Sequence, residues 1–226
     1  MSKFNLALEK YREASVLNGR PDSNRITQLE SVTNILNTHF PFEKVYSIET
    51  GGSYQWVDGM VGYYFAFLSN HTEGEFYSVD INPAYEQRVY DGYKNIDPNL
   101  KITHVTDDSL NLLRHPPFIP NLVHLDSWDV DLKNPFPSAL HGWREFEAIE
   151  SSMPIGSIII IDDNWYAGSW VEWFTPNGKG GHNVEIIYNN YPCIGKGTHI
   201  YQQVIGGYTD WNLLESKYKI IIQKVK

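Results

Sequence analysis

Hydrophobic and polar positions along this chain follow two different periods. The first forty residues carry apolar side chains three and four apart. Phe4, Leu8 and Tyr11 mark "KFNLALEKYREASVL", and Ile26, Leu29, Val32 and Leu36 mark "NRITQLESVTNILNTHF". That spacing predicts two helices, the second capped by Ser23 or Asn24 and stopped by Pro41. Beyond Pro41, short apolar runs alternate with helical stretches. Strands are predicted at 44–49 ("KVYSIE"), 75–80 ("EFYSVD"), 101–106 ("KITHVT"), 121–126 ("NLVHLD") and 156–162 ("GSIIIID"). Helices are predicted over 57–70, over 83–95 with Pro83 opening the first turn, from Asp108 onward, and over 138–151. Strands apolar on both faces and separated by helices indicate a parallel sheet covered on each side.

The last third reads differently. "HNVEIIYNNY" (182–191) has helical character. "THIYQQVI" (198–205) and "KYKIIIQKV" (217–225) read as strands joined through "GGYTDWNLLES", which is too short for a crossover helix, so they are expected to pair antiparallel. The sum is an α/β fold: a Rossmann-like doubly wound sheet, mostly parallel, with an antiparallel C-terminal strand pair and helices on both faces. Residues 1–42 are expected to form an N-terminal helical cap, and residues 43–226 the α/β domain.

Composition narrows the partners. A chain of 226 residues with 42% hydrophobic content can bury a substantial core. A formal net charge of −9 argues against a nucleic-acid or anionic-membrane surface, both of which need clustered Lys and Arg. Cys193 is the single cysteine, which rules out a disulfide framework and a thiolate metal cage. No stretch resembles a secretory leader or approaches the ~18 apolar residues that span a bilayer. A soluble, cytoplasmic protein is the expectation.

Ligands of such sheets collect at the carboxyl ends of the strands, near the point where strand order reverses. The residues just after each strand therefore carry the candidate chemistry. Gly51 and Gly52 in "IETGGSYQW" permit a close backbone approach to a ligand, or form a plain turn. Asp80 in "YSVDINPAY" stands where a carboxylate grips a ribose diol, or caps the helix beginning at Pro83. Asp107 or Asp108 and Ser109 in "VTDDSL" could hydrogen-bond an adenine, or cap the next helix. Asp126 in "HLDSWDVDL" and Asp163 with Asn164 in "IDDNW" end neighbouring strands. Two carboxylates and an amide oxygen make a hard-oxygen site suited to Mg²⁺ or a similar ion, unless Asp162 and Asp163 are solvated loop or capping residues. No His pair or Cys stands at zinc-ligand spacing.

In this order, "IETGG", the acid of "SVDINP", "LDSWD" and "IDDN" resemble a class I S-adenosylmethionine-dependent methyltransferase. The likeness is nearest to the metal-dependent O-methyltransferases of the catechol and macrolide-sugar types, and it covers roughly residues 44–166. It implies that Glu49, Gly51, Gly52, Ser53, Asp80, Asp108, Ser109 and Asp126 bind S-adenosyl-L-methionine. It implies that Asp126, Asp163 and Asn164 hold Mg²⁺ or another divalent cation, with Asp162 added in the sugar-type pattern. The general-base lysine of catechol-type enzymes would fall near Asp129, so that base is not carried over. Asp129 and His141 are the candidate catalytic bases, with His182 a third. Trp165, Tyr166, Trp170, Trp173 and Phe174 could wall a ring-shaped acceptor, or cover the sheet edge.

The function this implies is O-methylation of a small hydroxylated acceptor, aromatic or sugar, assisted by a divalent metal. An NAD-dependent oxidoreductase is the alternative enzyme, since Asp80 could hold an NAD ribose, although the chain lacks G-x-G-x-x-G. A non-catalytic binding protein on the same fold is the third reading. The first two helices either cap the site or mediate a homodimer.

Overall fold

A computed structural model describes residues 1–19, 23–52, 60–131, 134–166, 170–175, 178–183 and 193–226. Seven strands form one sheet in the order β10 (Trp211–Ser216), β11 (Ile220–Lys224), β5 (Ile158–Ile161), β4 (Leu122–Leu125), β1 (Ser47–Thr50), β2 (Phe76–Asp80), β3 (Thr103–Thr106). Five of them are the parallel strands expected from the apolar runs: β1 (Ser47–Thr50), β2 (Phe76–Asp80), β3 (Thr103–Thr106), β4 (Leu122–Leu125) and β5 (Ile158–Ile161). The helices between them are α3 (Val61–His71), α4 (Pro83–Ile96), α5 (Ser109–Arg114) and α6 (Phe136–Ile149).

The four isoleucines of β5 show why the strand is apolar throughout. Ile158 and Ile160 point to one face, where they join Phe4, Leu8 and Tyr11 of α1 (Lys3–Leu17) and Leu29, Val32 and Leu36 of α2 (Ser23–His39). Ile159 and Ile161 point to the other, where they meet Phe146 and Ile149 of α6 and Ile200 of α7 (Thr198–Ile205). All four are fully buried, each contributing roughly 2 kcal/mol of burial. The N-terminal helices thus share a core with α3 and the sheet.

Two C-terminal expectations are corrected. Residues 198–205 form helix α7, not a strand. Their β-branched and aromatic content favours a strand, but Ile200 and Val204, four apart, are the positions buried against the core. The antiparallel pair is instead β10 (Trp211–Ser216) with β11 (Ile220–Lys224), joined by a tight turn in which Lys217 N–H donates to the Lys219 carbonyl. β11 also pairs antiparallel with β5. The strand propensity of "WNLLES" lay inside what reads as a connection.

Shorter elements lie beyond β5. β6 (Asn164–Tyr166) pairs with β9 (Cys193–Gly195), and β7 (Trp170–Thr175) with β8 (Gly178–Asn183). His182 and Asn183, read as the start of a helix, belong to β8; residues 184–191 lie outside the described residues. No described helix is long and apolar enough to cross a membrane.

Candidate active site

β1 and β4 are neighbours, but the chain leaves β1 towards β2 on one side and runs from β4 to β5 on the other. A crevice opens between such strand ends. Gly51 follows β1 with φ +72°, and a Cβ there would lie 2.6 Å from the Asp126 carbonyl oxygen. Only glycine lets the exit of β1 lie against the exit of β4 in this backbone conformation. Gly51→Ala is therefore expected to destabilise the fold by about 2 kcal/mol or more. A denaturant midpoint unchanged by the substitution would contradict this close approach.

A cavity of about 320 Å³ occupies the crevice, and Gly51, Asp80, Asp108, Ser109, Trp128 and His141 contribute to its lining. Asp80 ends β2. Its Oδ1 accepts the Asn82 N–H at 2.7 Å, while Asn82 itself caps α4 by accepting the Ala84 N–H. The cap ahead of Pro83 is therefore Asn82, and Asp80 faces the cavity, its carboxyl held above the ordinary value by burial. Asp108 caps α5 through the Leu110 N–H at 2.9 Å and also lines the cavity. The capping reading of that residue is met, and its place on the cavity wall leaves a ligand contact open to it.

His141 forms part of the cavity wall. Its Nε2 lies 3.2 Å from Ser109 Oγ and 3.4 Å from Glu145 Oε1, and Glu145 also accepts from Ser127 Oγ at 2.6 Å. The Trp128 indole leans over the imidazole at 5.2 Å. Trp128 holds φ +64° and remains 59% exposed, a strained backbone that presents a flat ring to the crevice. Asp129 is exposed and close enough to Asp80 to oppose its ionisation. Glu49 is not at the cavity. It is buried, with Oε1 3.2 Å from His124 Nδ1. Gly52 packs on Ser78 at the edge of a small adjoining recess. Ser53 lies outside the described residues, as do the side chains of Trp170, Trp173, Phe174 and His182.

The ends of β4 and β5 hold three carboxylates and the cations that neutralise them. Asp162 pairs with Lys219, both side chains 2% exposed, and with Arg25 of α2 at 3.3 Å. His124 Nε2 lies 3.5 Å from the same oxygen. Burial alone would raise the Asp162 pKa, but Lys219, His124 and Arg25 outweigh it and hold the carboxyl well below its usual range. Lys196 stands between the other two acids. Its Nζ donates to Asp126 Oδ1 at 2.6 Å and to the Asp126 carbonyl at 2.7 Å, and lies 2.8 Å from Asp163 Oδ2. The Tyr218 hydroxyl donates to Asp163 Oδ1. Trp165 packs edge-on against the Tyr218 ring at 5.6 Å.

Asn164 does not face this cluster. Its Nδ2 donates to the carbonyls of Ile161 and Asp162 at 3.0 Å each, and its Oδ1 accepts the Gly197 N–H at 2.8 Å. It fastens the turn that carries Lys196. A divalent cation needs about six oxygen ligands at 2.0–2.6 Å. Of the three donors expected for it, two enclose an ammonium and the third serves the backbone. His124, Asp126 and Asp162 also bring one donor atom each within 4.8 Å of one another. Those side chains, however, are already engaged by Glu49, Lys196, Lys219 and Arg25. The donor set fits fixed cations of the chain, not a divalent metal.

Sequence reasoning found the acids and missed their counter-charges. Lys196 sits between two glycines in "IGKGTH", and Lys219 immediately precedes the buried run of β11. Neither local pattern, nor that around Arg25, marks the side chain as inward-facing.

No protein-family profile matches the chain, and no curated protein matches it in sequence. Solved structures do. A candidate caffeoyl-CoA O-methyltransferase from Staphylococcus aureus aligns with TM-score 0.56 at 15% identity, over 97% of this chain and 92% of that one. The O-methyltransferase TomG from Streptomyces achromogenes, solved with S-adenosylmethionine, aligns with TM-score 0.51 at 12% identity over 97% and 90%. MycE of the mycinamycin pathway, solved with Mg and S-adenosylhomocysteine, aligns with TM-score 0.55 at 15% identity, over 96% of this chain and 55% of MycE. At these identities the likeness establishes the fold: this chain has the class I methyltransferase architecture.

Proposed function

We propose that the chain transfers the methyl group of S-adenosylmethionine to a hydroxyl oxygen of a small acceptor. The observation that carries this reading is the cavity at the β1–β4 crossing, with Asp80 on one wall and Trp128 and His141 on another. A carboxylate after the second strand suits a ribose diol. An indole over the crevice suits a flat base. The Ser109–His141–Glu145–Ser127 chain of polar contacts fixes that wall.

Methyl transfer is an in-line displacement, so positioning dominates. The acceptor oxygen forms a bond to the methyl carbon as the sulfur–methyl bond breaks, and the sulfonium leaves as a neutral thioether. The acceptor proton must go to a base. Asp126 is the best placed carboxylate: it directly follows β4 and precedes the cavity residues Ser127 and Trp128, and its side chain remains 26% exposed. Burial raises its pKa, Lys196 opposes the rise, and Asp162 and Asp163 add to it, leaving a value of about 6. A base of that strength is charged at neutral pH and still able to take a proton. Asp129 and His141 lie on the cofactor side of the crevice in this reading. Trp165, packed on the Tyr218 ring beside Asp163, is assigned to the acceptor side, whereas Tyr166 packs against Tyr201 in the core.

The test is methyl transfer from labelled S-adenosylmethionine to a panel of hydroxylated aromatics and sugars. With a responsive acceptor in hand, Asp126→Asn should lower kcat by about 10²-fold or more and leave S-adenosylhomocysteine affinity near that of the parent. The parent's kcat/KM should rise with pH through about 6. Full activity in Asp126→Asn would remove Asp126 as the base. An NAD-dependent oxidoreductase is the competing enzyme reading, and binding of NAD⁺ in place of S-adenosylhomocysteine would favour it.

A further inference from the structure

We propose that the Lys196 ammonium takes the place of a divalent cation between Asp126 and Asp163, so that the site works without bound metal. The inference concerns the same site as the methyl-transfer reading and rests on that reading for its catalytic meaning.

The geometry is specific. An ammonium has three donor hydrogens, and three oxygens surround this one: Asp126 Oδ1, the Asp126 carbonyl and Asp163 Oδ2. The side chain is 2% exposed. The lysine is placed by a turn secured at several points. Asn164 Oδ1 holds the Gly197 N–H, Lys196 N–H donates to the Asp163 carbonyl at 3.3 Å, and Gly195 N–H donates to Thr198 Oγ1 at 2.9 Å. The backbone around it is equally constrained. A Cβ on Gly195 would meet the Asp163 carbonyl at 1.9 Å, and one on Gly142 would meet the Lys196 carbonyl at 2.4 Å. Helix α6, strand β9 and the end of β5 therefore converge on this lysine.

Charge balance leads to the same conclusion. Asp126, Asp162 and Asp163 are matched by Lys196, Lys219 and Arg25, and Glu49 faces His124. A divalent ion between Asp126 and Asp163 would have to expel the ammonium that now bridges them. Asp126 and Asp163 keep 26% and 21% of their side-chain surface open, so an acceptor hydroxyl can reach carboxylate oxygen directly.

The experiment uses the full chain dialysed against EDTA, titrated with Mn²⁺ under electron paramagnetic resonance, with a parallel calorimetric titration of S-adenosylhomocysteine. The parent should leave Mn²⁺ free in solution up to millimolar concentration, and Mg²⁺ should leave its melting temperature unchanged. Lys196→Met should acquire Mn²⁺ binding at Asp126 and Asp163, at least tenfold tighter than the parent, while Lys196→Arg should remain metal-free. One Mn²⁺ held by the parent at micromolar concentration and lost in Asp126→Asn would overturn the inference. That result stands even if Lys196→Met fails to fold. Failure of S-adenosylhomocysteine to bind would instead remove the methyl-transfer reading, and the Mn²⁺ titration of the parent would still decide the role of the lysine.

Discussion

Asp80→Ala is expected to weaken S-adenosylhomocysteine binding by roughly a hundredfold or more. A carboxylate that accepts two ribose hydroxyls makes two charge-assisted hydrogen bonds, each contributing about 1.5–3 kcal/mol, and each 1.4 kcal/mol is about a factor of ten in affinity. The residue is oriented before any ligand arrives, because Oδ1 accepts the Asn82 N–H at 2.7 Å. Asn82→Ala provides the control. It removes the α4 cap at about 1 kcal/mol of stability and should leave affinity within a few-fold of the parent. Equal losses in the two variants would mean that Asp80 acts on the fold and not on the ligand.

The second large effect is expected on stability. Lys219→Met removes the principal counter-charge of Asp162 from a place where both side chains are 2% exposed. Breaking a buried ion pair by deleting one partner costs about 3–5 kcal/mol, which for a chain of this size lowers the melting temperature by roughly 10 °C. Arg25 and His124 still face the stranded carboxylate and keep the loss within this range. The pH dependence has a definite sign. Asp162 has a folded pKa well below its unfolded value of about 3.9. Its stabilisation is therefore present above that value and is lost as pH falls through the folded pKa. The stability gap between parent and variant should be widest near neutrality and should narrow as the pH drops below about 4. A gap that stays constant from pH 7 to strongly acidic conditions would show that packing of the lysine stem, not its charge, sets the difference.

The parallel half of the fold was legible because its strands are short runs followed directly by a polar residue, as in "SVDINP" and "HLDSW". Period and punctuation agreed there. At the C-terminal end they did not. Residues 198–205 carry β-branched side chains in a helix because α6 and the sheet bury Ile200 and Val204 together, a tertiary preference that overrides the local one. Trp211–Ser216 looked like a loop because only Trp211 is fully buried, the pattern of an edge strand with one partner.

The candidate site divides the same way. Asp80, Asp108, Ser109, Asp126 and Asp163 could be placed from strand order alone, since a parallel sheet brings its carboxyl ends to one edge. Their environment could not. That Asn164 fastens a turn, that Lys196 sits between Asp126 and Asp163, and that Arg25 arrives from α2 all depend on segments distant in sequence. Acids at strand ends read as a metal site in the sequence, where the lysines that face them cannot be placed.

The most direct test of the central claim is a calorimetric titration of the purified chain with S-adenosylhomocysteine, with NAD⁺ run under the same conditions. One-to-one binding of S-adenosylhomocysteine in the micromolar range and no heat from NAD⁺ are expected. Binding of NAD⁺, or silence with S-adenosylhomocysteine, would contradict that claim.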